Sequence, residues 1–195
     1  MTISALKLQI RTNLKNQRDN FIDHKADTAS IISRFQEHLI PLLKPNEVIA
    51  AYYPNRSELN ILPLLTKLSR QYFNILLPII NNQSKIDFYP WVPEDILTTS
   101  KYANGILEPK KLPSSSIPSV IIAPLLACDL NGNRIGSGKA MYDKYLTDLI
   151  RMDKKPIYIG LCYDFQLLDY IDSESHDQPL DIILTNKRFV NNYKI

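Results

Sequence analysis

Residues 134 to 143, RIGSGKAMYD, set Gly136 and Gly138, two of only five glycines in the protein, beside Arg134 and Lys139 and just ahead of a helix-like run. Glycine lets backbone N–H groups approach an anion closely, the two cations supply charge, and the following helix directs its positive end to the same point. The ligand that suits this chemistry is a phosphate. A plain glycine turn feeding a surface helix has the same residues, so the stretch alone leaves both open.

Familiar ion-binding patterns do not fit. A Walker A loop needs four residues between its first glycine and the Gly-Lys pair, whereas Gly132 and Gly138 are separated by five and Ala140 replaces the magnesium-binding Ser or Thr. The dinucleotide fingerprint requires glycine where Met141 stands, and an EF-hand starting at Asp129 requires glycine at Arg134 and glutamate at Ala140. His24 and His38 fall on expected helices with no third ligand nearby, so zinc is not expected. His176, beside Asp177, reads as a surface or turn residue.

The elements that must position these residues alternate along the chain. Leu6, Ile10 and Leu14 repeat at helical spacing after the possible caps Thr2 and Ser4; Ile31, Ile32, Phe35, Leu39 and Leu42 do so after Asp27, until Pro45. Buried strands are expected at 47–54, 73–80, 119–124, 156–163 and 180–185, with a weakly alternating segment at 85–91. Helices are expected at 61–71 and 139–151, with a short one near 166–171. Short apolar strands separated by helices predict an α/β fold, a mostly parallel sheet covered on both faces. In such sheets ligands sit beyond the carboxyl ends of the strands, where the loop after Pro124 emerges.

The chain's 195 residues suit one domain, residues 1–195, and the Pro- and Ser-rich EPKKLPSSSIPS is expected to be a long loop within it. With 23 basic and 20 acidic residues scattered along the sequence, no stripe for nucleic acid is predicted. The longest apolar run, SVIIAPLLAC, falls well short of the roughly 20 residues that span a bilayer. The N-terminus lacks the unbroken apolar core of a secretory signal. Cys128 and Cys162 fit neither a CxxC motif nor a disulfide scaffold, and are expected to be reduced and packed. A cytoplasmic monomer, bound to no membrane, is the expectation.

RIGSGKAMYD resembles the RLGxGKGYYD signature of the 5-formyltetrahydrofolate cyclo-ligase family, and the likeness extends along the chain. KLQIR (7–11) is similar to the family's KxxLR, NRSEL (55–59) to its early glutamate segment, YANGILEP (102–109) to its GIxEP, and IGLCYDFQ and SHDQPLDIILT to its closing motifs. The resemblance implies a three-layer α/β/α domain of the NagB/RpiA/CoA-transferase-like kind. It also implies conversion of 5-formyltetrahydrofolate to 5,10-methenyltetrahydrofolate with Mg2+ and ATP. By the same resemblance Lys7 and Arg11 contact nucleotide. Arg134, Ile135, Gly136, Ser137, Gly138, Lys139, Ala140, Met141 and Tyr142 form the cofactor-binding segment, with Arg134, Lys139 and Tyr142 catalytic. Tyr53 and Glu58, together with residues 137–141, meet the folate, and Asp143 and Asp177 hold Mg2+.

Each assignment has a plainer rival. Lys7 and Arg11 could be a solvated helix face, Asp143 a partner of Lys139, Asp177 a cap, Glu58 a helix-start carboxylate and Tyr53 packing. The signature itself departs from the family where Ala140 replaces a glycine and Met141 a tyrosine, and Leu125 stands for a glycine after Pro124. If the backbone at Ala140 has positive φ, alanine there carries strain of order 1 kcal/mol. Three functions stay open: an active cyclo-ligase, a non-catalytic folate- or nucleotide-binding relative, and an ATP-dependent enzyme acting on another small formyl or amide substrate.

Overall fold

The computed structural model describes residues 3–21 and 24–193. Helices α1 (Ile3–Asp19) and α2 (His24–His38) open the chain, then β1 (Val48–Ala50), α3 (Leu62–Arg70), β2 (Asn74–Ile80) and β3 (Ile86–Pro90). The middle holds β4 (Thr98–Thr99), β5 (Leu107–Glu108), β6 (Val120–Ala123), β7 (Ala127–Asp129) and β8 (Arg134–Ile135). Helix α4 (Met141–Arg151), β9 (Ile157–Cys162), β10 (Leu167–Leu168), β11 (Ile182–Thr185) and β12 (Phe189–Asn191) complete it. Thr2 and the side chain of Ser4 lie outside what is described, and the two capping expectations with them.

Seven strands form the main sheet in the order β12-β11-β9-β6-β1-β2-β3. The five inner strands pair in parallel, and β3 and β12 run antiparallel at the edges. Alternation along each strand divides the core. Ile49, Ile75, Leu77, Val120, Ile122, Ile159, Leu161, Ile182 and Leu184 pack with Phe35 of α2 and Leu64, Leu65 and Leu68 of α3. Ala50, Leu76, Ile121, Ala123, Tyr158, Cys162 and Ile183 face the other way, onto Tyr142, Leu146 and Leu149 of α4. The sheet is therefore covered on both faces, as the alternation of elements predicts. A second small sheet, β10-β7-β8, carries α1, whose Leu14 packs with Ala127, Ile135 and Ile171.

Several boundaries differ from the sequence reading. The strand expected at 47–54 stops at Ala50; Ala51 still donates to the Leu76 carbonyl at 3.0 Å, and the chain then leaves the sheet. Helix α2 ends at His38 rather than reaching Leu42, because Pro41 has no N–H to continue it and Ile40–Leu42 form a 3-10 turn. Helix α4 begins at Met141, two residues late, and the last inner strand begins at Ile182 because the Leu180 N–H is turned to the Gly132 carbonyl, 2.8 Å away.

No helix occupies 166–171. A 3-10 turn at Asp164–Gln166 leads into β10, which pairs with β7, and the Ile171 N–H donates to Asp129 Oδ2 at 2.9 Å. Strand partners distant in sequence draw this segment out, so helical spacing misleads there. No described helix is long and apolar enough to cross a membrane.

Candidate functional site

The order of the sheet explains where the cleft lies. From β1 the chain moves to β2 on one side, and β6 adds on the other, so the loops leaving the carboxyl ends of β1 and β6 diverge and open a crevice between them. A cleft of about 670 Å3 occupies this position, lined by Tyr52, Tyr53, residues 55–58, Pro124 to Leu126, residues 136–143 and one face of α1. Of the residues singled out from sequence, Lys7, Arg11, Tyr53, Glu58, Arg134, Gly136, Ser137, Gly138, Lys139, Ala140, Met141, Tyr142, Asp143 and Asp177 all line it. Ile135 does not: its side chain is buried in the small core beneath α1, so any part it plays is through its backbone.

Arg134 and Asp143 clamp the glycine turn. Arg134 Nη2 is 2.8 Å from Asp143 Oδ2, its Nη1 donates to the Pro124 carbonyl at 3.1 Å, and its guanidinium lies 5.7 Å from the Tyr158 ring centroid. A Cβ on Gly136 would come within 2.7 Å of Arg134 Nη1, so only glycine allows the arginine this position. Gly138 adopts φ of 97°, the left-handed region glycine enters freely. The Gly136 carbonyl accepts from Arg11 Nε at 3.0 Å, which ties the turn to α1. The backbone N–H groups of Gly136, Ser137, Gly138 and Lys139 meet no acceptor among the described residues and sit at the N-terminus of α4. Unpaired amides, a cationic neighbour and a helix N-terminus together make an anion cradle.

The basic face of α1 is longer than the Lys7 and Arg11 pair: Lys15 and Arg18 continue it at helical spacing along the cleft. That spacing was legible in the sequence. Lys7, only 5% exposed, is 2.6 Å from Asp177 Oδ2 and 3.1 Å from Glu174 Oε2. Burial alone would lower the Lys7 pKa, but the bonds to Asp177 and Glu174 outweigh it and raise it. Burial likewise opposes ionisation of Asp177, yet the Lys7 ammonium holds its carboxyl below the usual range.

At the opposite end, Glu58 Oε2 accepts from the Asn55 N–H at 2.9 Å, and burial raises its pKa against the pull of that bond and of Arg18. Tyr53 is half-buried against the main core. Tyr142 packs edge-on to Phe88, and burial pushes its phenol far above the ordinary range, so it can donate a hydrogen bond but not serve as a base.

A model of the 5-formyltetrahydrofolate cyclo-ligase family matches residues 3–186. The chain belongs to this family. The 5-formyltetrahydrofolate cyclo-ligase of Haemophilus influenzae is 28% identical over 187 residues, 90% of this chain and 95% of the relative. That of Mycolicibacterium smegmatis is 32% identical over 152 residues, 72% and 74% of the respective chains. The NMR structure of Aquifex aeolicus 5,10-methenyltetrahydrofolate synthetase shares the fold with a TM-score of 0.79 at 23% identity, covering 97% of this chain and 94% of that one.

Two local features of the site bear on its chemistry. Ala140, where the family signature has glycine, has φ of 50° and ψ of 26°, the conformation in which a Cβ is strained. The two carboxylates expected at magnesium are both already neutralised. Asp143 is held by Arg134 on one oxygen and by the Gln178 N–H, at 3.3 Å, on the other, rather than by Lys139; Asp177 is held by Lys7. Glu174, not singled out in the sequence, and His176, read there as a surface or turn residue and exposed here, stand with Asp177 so that their ligand atoms lie within 4.8 Å of one another. Two exposed side chains in a loop carry no periodic signal that would have marked them.

Proposed function

We propose that this protein uses Mg-ATP to convert 5-formyltetrahydrofolate to 5,10-methenyltetrahydrofolate, releasing ADP and phosphate. The observation that carries this reading is one cleft with a cationic amide cradle at one end and the Glu58 carboxylate at the other, bridged by the basic face of α1. A polyphosphate and a reduced pterin need those two ends. The formyl group on N5 is amide-like and its oxygen leaves poorly. Phosphoryl transfer from ATP to that oxygen converts it to a phosphate ester; N10 then attacks the formyl carbon, the C–O bond breaks, and phosphate departs with the oxygen while N10 gives up its proton to it. Chemistry of this kind asks the protein for positioning and charge neutralisation above all.

In this reading the amides of residues 136–139 and Arg11 hold the phosphates, Lys7 and Arg11 meet the nucleotide, and the exposed Lys139 neutralises charge on the transferring group. Arg134 keeps the turn in shape through the Pro124 carbonyl and Asp143. Glu58 accepts from the pterin N–H groups, Tyr53 and Met141 flank the ring, and Tyr142 donates a hydrogen bond. The magnesium ion supplies charge neutralisation at the phosphate oxygens. A hard cation bound through one or two carboxylates and water would suit Asp143 and Asp177. Every residue assigned lies on one chain, so a monomer suffices. Cys128 and Cys162, buried thiols with sulfurs 3.7 Å apart, suit a reducing cytoplasm.

The test mixes purified protein with 5-formyltetrahydrofolate and Mg-ATP and follows the methenyl chromophore, with a control lacking ATP. ATP-dependent product is expected. Tight folate binding without product would instead point to a sequestering relative. Neither binding nor product would point to a different formyl or amide substrate.

A further inference from the structure

Arg18 is the exception among the buried cations of the described residues. Lys7 pairs with Asp177 and Glu174, Arg134 pairs with Asp143, Glu108 accepts from the Ile80 N–H at 2.9 Å, and Asp129 accepts from Asn131, Asn133 and Ile171. Arg18, 6% exposed, has no ion-pair partner among the described residues. Its Nε donates to Ser57 Oγ at 3.2 Å and its Nη1 to the Leu125 carbonyl at 3.3 Å, and Nη2 meets no acceptor among the described residues. The neighbouring carboxylate, Asp19, instead accepts from the Ser57 hydroxyl. Glu58 answers the charge of Arg18 at longer range, but a buried guanidinium N–H with no acceptor is still unfavourable. Since Arg18 lines the cleft, a bound ligand is what can answer it.

Position says which part of a ligand. Arg11 touches the phosphate turn; Arg18 lies seven residues further along α1, about 10 Å on, and is anchored to Ser57, the neighbour of Glu58. It therefore belongs to the pterin end of the cleft. The pyrimidinone edge of a pterin presents, in order, a 2-amino donor, an N3–H donor and a 4-oxo acceptor. A carboxylate takes the two donors and leaves the oxo group needing a donor beside it. We infer that Arg18 is a substrate-binding residue whose free Nη2 donates to the 4-oxo oxygen while Glu58 accepts from N3–H and the 2-amino group. This rests on the folate reading of the cleft and adds to it the residue that selects an oxo over an amino group at position 4.

The experiment compares binding of 5-formyltetrahydrofolate and its 4-amino-4-deoxy counterpart to wild type, Arg18→Gln and Arg18→Met, at a pH above the range in which the diaminopteridine ring protonates. Wild type is expected to prefer the 4-oxo ligand by about tenfold or more, the size of a hydrogen bond from a charged donor. Both variants should narrow the ratio severalfold but not to parity, because the 4-amino ring has no N3–H for Glu58 and that part of the preference remains. A ratio unchanged in a variant that folds by circular dichroism overturns the assignment and leaves Arg18 a structural brace. Absence of any preference in wild type overturns it whether or not the variants fold. Wild type that binds neither ligand sinks the folate reading itself, a result distinguishable from the other two.

Discussion

Arg134 and Asp143, nine residues apart, meet behind the glycine turn with Nη2 2.8 Å from Oδ2, and both side chains are withdrawn from solvent, 6% and 11% exposed. The pair gives Asp143 a task in the fold as well as any in the chemistry. Asp143→Asn leaves the guanidinium buried without its counter-charge, a loss of about 3 to 5 kcal/mol for a broken buried pair. Denaturant unfolding should show a lower midpoint at neutral pH, together with lost metal-dependent turnover. An unchanged midpoint would contradict the structural part, and unchanged turnover the chemical part.

Lys139 is exposed at the mouth of the turn. Lys139→Ala should leave thermal stability nearly untouched, within about 0.5 kcal/mol as for surface substitutions generally. The Michaelis constant for ATP should rise and turnover fall, with folate affinity held. Paired saturation curves that show the two ligands equally weakened would remove Lys139 from the phosphate cradle.

Ala140 holds φ of 50° at the start of α4. Ala140→Gly removes the crowding of Cβ against the backbone and should stabilise the protein by up to about 1 kcal/mol. Urea denaturation measures it, and a destabilised Ala140→Gly would show that the alanine is not strained.

The Lys7–Asp177 pair makes stability depend on acid. The folded carboxyl of Asp177 titrates below its unfolded counterpart, near pH 4, so the pair's contribution is present above that value and is lost as pH falls through the lower folded pKa. Lys7→Met removes the ammonium that depresses it. Thermal melts across this acid window should lose stability less steeply in Lys7→Met than in wild type; parallel curves would mean that Lys7 does not set the Asp177 pKa.

Burial lifts the Glu58 carboxyl above the ordinary range. If the ionised form binds the pterin donors, affinity for 5-formyltetrahydrofolate should rise with pH through a midpoint above that of a free glutamate, about 4.3. In Glu58→Gln the rise should disappear. A persistent rise in that variant would assign the titration to another group.

Much of the architecture was legible from residue pattern. The alternation of apolar runs and helical stripes predicted a mostly parallel covered sheet, and the loop after Pro124 was expected at a ligand end. Failures fell at 166–171, where the distant β7 draws Leu167–Leu168 into a strand, at the end of α2, where Pro41 stops the helix early, and at β12, a short edge with no periodic signal.

For the site, the amino-acid sequence by itself determined the kinds of group available: glycines that admit close approach, cations beside them, and a basic stripe at helical spacing on α1. Those properties follow from side-chain chemistry and helical period, both local. Which charges neutralise one another, and which neutral groups hold the rest, was decided only in three dimensions: Lys7 finds the Asp177 carboxylate across 170 positions, and Arg18 finds the Ser57 hydroxyl across 39. Ion pairing and burial depend on distances that folding alone sets.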